Sequence, residues 1–149
     1  MSTGKFKILV GIYLYGDSLD PDHLTNLLSV SPSTSKRKGD RRVLSTGREV
    51  VAKTGVWRLA SKLDSDSFDL PTIVSELGTR IRNHDGGLGS LPGVDKGCVD
   101  VFAATIADVQ SGATCAFELN EQNVELLHSL GLPVRFTIDV SQPQSPGRG

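Results

Sequence analysis

Asp17, Asp20, Asp22 and His23 stand within one short stretch of the chain. Carboxylates beside an imidazole are the hard and borderline ligands a divalent cation takes. In a cleft, the same groups could shift one another's pKa values and move protons. Their spacing matches neither a calcium loop nor a zinc motif. It does match a helix start, with Asp20 as N-cap, Pro21 at the first helical position and Asp22 in the first turn. Capping is the expectation, and a small hydrolase or metal-dependent centre at this turn is an alternative.

A second concentration of chemistry is cationic. Nine Lys and Arg residues fall between Lys36 and Lys62, opposed only by Asp40 and Glu49, for a local charge of +7. The densest part is Ser33-Thr34-Ser35-Lys36-Arg37-Lys38-Gly39-Asp40-Arg41-Arg42, which leads to an apolar strand around the single tryptophan, Trp57. Such a run attracts phosphates, nucleic acid or an acidic protein face, and its plain alternative is a solvated loop. Nucleic-acid binders usually add exposed aromatics or a groove-reading helix, whereas Trp57 reads as core. Arg37, Lys38, Asp40, Arg41 and Arg42 are the candidate binding residues.

Other constellations are weaker. Gly86-Gly87-Leu88-Gly89-Ser90 lacks the last glycine of a dinucleotide fingerprint and the Gly-Lys-Ser/Thr of a P-loop, and it follows a helix rather than a strand. His23, His84 and His128 are scattered, and no nucleophile elbow is present. No catalytic residue, metal ligand or cofactor is assigned. Cys98 and Cys115 flank an expected hairpin about Gln110-Ser111-Gly112, whose register would hold them about eight residues apart along the ladder, beyond disulfide reach. Two reduced thiols suit the cytoplasm.

These groups need elements to position them. The 149 residues make one domain by length, here residues 1–140 with a disordered Ser/Gln/Pro/Gly tail over 141–149. Net charge is −1, divided as +6 over residues 1–63 and −7 over residues 64–149. Lys5 and Lys7 before a short apolar run only faintly suggest a signal peptide, and a strand over 5–15 is preferred. No stretch is long enough to span a bilayer. That strand and another over Val99–Asp108 are apolar on both faces, as interior strands are. Ser31-Pro32 should end the first helix. A strand follows around 50–60, then a helix with Leu70, Ile73, Val74, Leu77 and Ile81 at helical spacing. Asn83–Gly97 reads as a mobile glycine-rich loop. Val99–Asp108 and Ala113–Leu119 should pair as an antiparallel hairpin. Asn120 caps a third helix with Val124, Leu127 and Leu130 inward, and Gly131 ends it. The last strand sets Val134, Phe136, Ile138 and Val140 against a wet face of Arg135, Thr137 and Asp139. The expected fold is α+β, a mixed, largely antiparallel sheet of about five strands with three helices packed against it.

Several short pieces in order carry a resemblance: Gly16-Asp17-x-x-Asp20-Pro21-Asp22, Leu27-Leu28, Pro32, Lys38-Gly39-Asp40, Gly55-Val56-Trp57, and Leu130-Gly131-Leu132-Pro133-Val134 with Ile138-Asp139-Val140. From about residue 8 to residue 140 the chain resembles the bacterial domain-of-unknown-function family 4279. The resemblance implies a compact bacterial α+β domain and transfers no activity and no site residue.

The expected function is a non-enzymatic protein-binding module. Its basic loop and neighbouring acidic turn would engage an acidic protein surface, charge supplying steering and nearby apolar surface affinity. Single-stranded nucleic-acid binding by the same patch is the second expectation, and no membrane partner is expected.

Overall fold

The computed structural model describes residues 6–65, 69–81, 86–106 and 117–141. The first strand, β1 (Phe6–Gly16), is the centre of a five-stranded sheet. It pairs antiparallel with β5 (Gly55–Ser65) on one side and with β6 (Lys96–Ile106) on the other. A short strand β2 (Thr34–Lys36) lies outside β5, and β7 (Val134–Ser141) runs parallel to β6 at the far edge. The remaining strands, β3 (Arg41–Val43) and β4 (Glu49–Val51), form a separate two-stranded hairpin. The fold is α+β, with a mixed and mostly antiparallel main sheet.

Three helices pack against the sheet. Helix α1 (Pro21–Leu28) starts as expected, with the Asp20 carboxylate accepting the Asp22 and His23 N–H groups at 3.1 and 3.4 Å. It stops earlier than Ser31-Pro32, because Ser29 adopts a left-handed conformation, φ 56°. Helix α2 (Leu70–Arg80) is capped by Asp69 and buries Leu70, Ile73, Val74 and Leu77. Helix α3 (Glu121–Ser129) begins in a reciprocal capping box between Asn120 and Asn123. All three turn inward onto the same face of the sheet, against Ile8, Val10, Ile12 and Leu14 of β1 and their neighbours Trp57, Leu59, Val99 and Val101. Trp57 is wholly buried there, and its indole N–H donates to Thr25 Oγ1 of α1 at 3.2 Å.

Several expectations are corrected. The hairpin joining 99–108 to 113–119 does not form over β6, since both edges of that strand are taken, one by β1 and the other by β7. Residues 117–120 are not strand, while Cys115 and 107–116 lie outside the described residues. The phase of α3 also differs. Asn123, Leu127 and Leu130 turn inward and Val124 is 54 % exposed. Asn123 can be buried because its amide reaches Ser75 Oγ of α2 at 3.2 Å, which satisfies a polar group that would otherwise cost stability. On β7, Phe136, Ile138 and Val140 share the helix side with buried Val99 and Val101, yet they remain exposed. Finally, the described part of the glycine-rich segment is anchored. Leu88 and Leu91 are buried, and Leu88 N–H donates to Leu130 O at 2.8 Å.

The oppositely charged halves of the sequence do not interleave in the sheet. Strands β2, β5 and β1 come from the cationic half, and β6 and β7 lie together on the other flank.

Candidate functional site

The acidic turn and the basic loop are one structure. The chain leaves β1 through Gly16, where a Cβ would run into the Gly93 carbonyl oxygen, so only glycine lets the two backbones meet. Asp17 follows, then Asp20 and Asp22 at the start of α1. Facing them is the turn after β2. It is tied by Asp40 Oδ2, which accepts the Arg37 N–H at 2.7 Å, and by backbone hydrogen bonds of Gly39 and Asp40 to Ala52. Gly39 there has φ 91°, a conformation glycine adopts without strain. From this turn Arg37 reaches Asp20 and Asp22, each at 2.9 Å from Nη2. Lys38 reaches Asp17 at 3.3 Å.

The electrostatics follow from these contacts. The Asp17 carboxyl is held below its ordinary pKa first by a Thr54 hydrogen bond and then by the hydrogen bond and charge of Lys38. At Asp20, partial desolvation pushes the pKa up but is outweighed. The His23 N–H, the Arg37 guanidinium and the Asp22 N–H together leave the carboxyl below its usual range. The charge of Asp20 in turn raises Arg37, with Asp22 adding to it. Asp20 and Asp22 meet on Arg37 Nη2 while Asp17 is turned to Lys38, so the carboxylates close on cations already in the chain. Among the described residues no group of three or more His, Cys, Asp or Glu side chains is arranged to hold a metal ion.

The other candidate residues lie on the β3–β4 hairpin. Arg41 is opposite Val51 and Arg42 opposite Val50. Arg41 pairs with Glu49 at 3.2 Å, whereas Arg42 and Arg48 make no ion pair among the described residues. Leu44 N–H donates to Arg48 O at 2.7 Å, and Gly47, φ 84°, completes the turn. The hairpin exposes three valines: Val43 (68 %), Val50 and Val51. The five predicted binding residues are therefore divided. Arg37, Lys38 and Asp40 lock the loop to α1 and Ala52, while Arg41 and Arg42 face outward beside apolar surface.

A family model for a domain of unknown function, DUF4279, matches residues 5–141. The chain belongs to the DUF4279 family. No curated protein and no solved structure matches it.

This DUF4279 domain has a second surface that sequence reasoning missed. On the sheet face away from the helices, β1 presents Tyr13 and Tyr15, whose rings are 6.3 Å apart and within 11° of parallel. The Arg58 guanidinium of β5 sits 5.2 Å from the Tyr13 ring centroid, and the Lys96 ammonium of β6 sits 5.8 Å from that of Tyr15. Cys98 and Asp100 lie beside them on β6. Burial, with the nearby Cys98 and Tyr13, raises the Tyr15 pKa. Arg58 Nε and Asp100 Oδ1 are buried without a hydrogen-bond partner. The available signal was the Tyr13-x-Tyr15 alternation, which puts both rings on one side of a strand. Elsewhere, Leu119, Val124 and His128 line a shallow apolar groove on the outer side of α3. No helix among the described residues is long and apolar enough to cross a membrane.

Proposed function

We propose that this DUF4279 domain is a non-enzymatic binding module that docks its β3–β4 hairpin on an acidic protein surface. The observation that carries the reading is the exposure of Val43, Val50 and Val51 on the same two strands as Arg41 and Arg42. Exposed β-branched side chains on a small projecting hairpin supply apolar area for a partner to cover. The guanidiniums of Arg42 and Arg48, which make no ion pair among the described residues, supply steering toward carboxylates. Arg37, Lys38 and Asp40 have a different role, holding the base of the hairpin against α1. The free thiol of Cys98 fits a reducing, cytoplasmic location. The alternative of metal-dependent or hydrolytic chemistry at Asp17, Asp20 and Asp22 draws no support from their geometry, since each is held by a cation.

The experiment is affinity capture with the full chain, beside the variant Arg42→Glu/Val43→Ser/Val50→Ser and a control, Glu125→Gln, on the exposed side of α3. The expected result is a partner retained by wild type and control, released by added salt, and lost from the hairpin variant. Equal recovery by the hairpin variant, folded by circular dichroism, overturns the reading.

A further inference from the structure

The sheet face opposite the helices has chemistry separate from the hairpin. The geometry points to this face as a platform for single-stranded nucleic acid, with successive bases resting on Tyr13 and Tyr15 and phosphates held by Arg58, Lys96 and the lysines around them.

The two tyrosines make the platform. Each is half-buried, with three strands of sheet beneath and beside it. Tyr13 leans back over Gly11, its Cε2 only 3.0 Å from where a Cβ would stand. A larger residue at position 11 would push the ring away from the sheet. Base–aromatic stacking tolerates any base, because every base has a π-face. The ring separation of 6.3 Å is nearly twice the ~3.4 Å rise between neighbouring bases in a duplex strand. Bases seated on both rings are therefore unstacked from each other. A single strand can splay its bases in this way, whereas a duplex hides their faces.

Charge selects a polyanion. Lys7, Lys36, Arg58, Lys62, Lys96 and Arg135 occupy this face, against Asp64, Asp100 and Asp139. The whole chain carries −1, so the face is cationic against the trend of the molecule. Arg58 and Lys96 lie over the rings themselves, so a base that takes a ring face displaces the cation above it toward the neighbouring phosphate. The same charges oppose a second copy of the chain, since face-to-face pairing would press cation on cation.

Fluorescence anisotropy of labelled oligouridine, oligothymidine and a mixed duplex with the full chain tests this. The expected result at about 50 mM salt is binding of a single strand in preference to the duplex, weakening linearly on a log–log plot as salt rises. Tightness for the RNA or the DNA arm names the natural sugar, and either supports the proposal. Tyr13→Ala and Tyr15→Ala are each expected to weaken binding about tenfold or more, with Tyr13→Phe close to wild type. Arg58→Gln/Lys96→Gln, which keeps the rings, should reduce both affinity and salt slope. No binding at low salt overturns the proposal. So does binding that ignores the tyrosines and the Arg58/Lys96 pair, or a duplex bound as tightly as a strand.

Discussion

Arg37 closes on Asp20 at 2.9 Å, joining the loop after β2 to the residue that caps α1. The same carboxylate therefore serves a helix terminus and a tertiary contact at once. Protonating it loosens both.

Acid should reveal this coupling. The Asp17 and Asp20 pKa values are depressed in the folded state. Their contribution to stability is thus complete above the unfolded carboxyl pKa of about 3.9. It is lost as pH falls through the lower folded values. Thermal melting followed downward from neutral pH should show this loss only below about pH 4. In Arg37→Gln the Asp20 titration, read by NMR, should move back up. An unmoved Asp20 would break the link between loop and cap.

Trp57 is the largest buried side chain, and its one polar atom is satisfied by Thr25. Trp57→Ala should cost about 3–5 kcal/mol in denaturant unfolding. Thr25→Val keeps the volume but leaves the indole N–H without its partner, at a cost of about 1–3 kcal/mol.

Asn123 links α3 to α2 through Ser75 and completes the capping box. Asn123→Ala should lower stability by about 1–2 kcal/mol. Hydrogen exchange should report that loss first at the start of α3.

Gly16 faces a carbonyl oxygen across a gap with no room for a methyl group. Gly16→Ala should therefore destabilise the chain and displace the Asp17 N–H from Asp95 Oδ2, now at 3.2 Å. The shift would be visible as chemical-shift changes at residues 16–18 and 93–95. A stability equal to wild type would contradict the close approach.

What could be read from the sequence was local. The stripe of Leu70, Ile73, Val74 and Leu77 defined α2, and the caps at Asp20, Asp69 and Asn120 lie where short polar side chains can accept N–H groups. Pairing between distant strands carries no such local mark. Val99 to Ala103 reads as apolar whether its neighbour is the next strand or β1, so the expected 99–119 hairpin was a choice between equally apolar partners. The alternation of Val134, Phe136, Ile138 and Val140 gave the correct sides of β7. It could not show that the helices cover less of this edge than of the centre. The site was half legible. Arg37 and Asp22 were both flagged, yet nothing in a separation of 15 residues announces a contact. The interior place of β1 in the sheet was legible from its two apolar faces, but the tyrosine pair was not singled out, because an aromatic strand looks the same whether its second face is covered or open.

The order of the strands gives the molecule an electrical axis across the width of its sheet. Strands β2, β5 and β1 carry Lys7, Lys36, Arg58 and Lys62 against Asp64, whereas Lys96 and Arg135 balance Asp100 and Asp139 on β6 and β7, so the excess positive charge of the sheet lies toward the β2 edge. A negatively charged object in solution turns the domain as it diffuses in, and that edge arrives first.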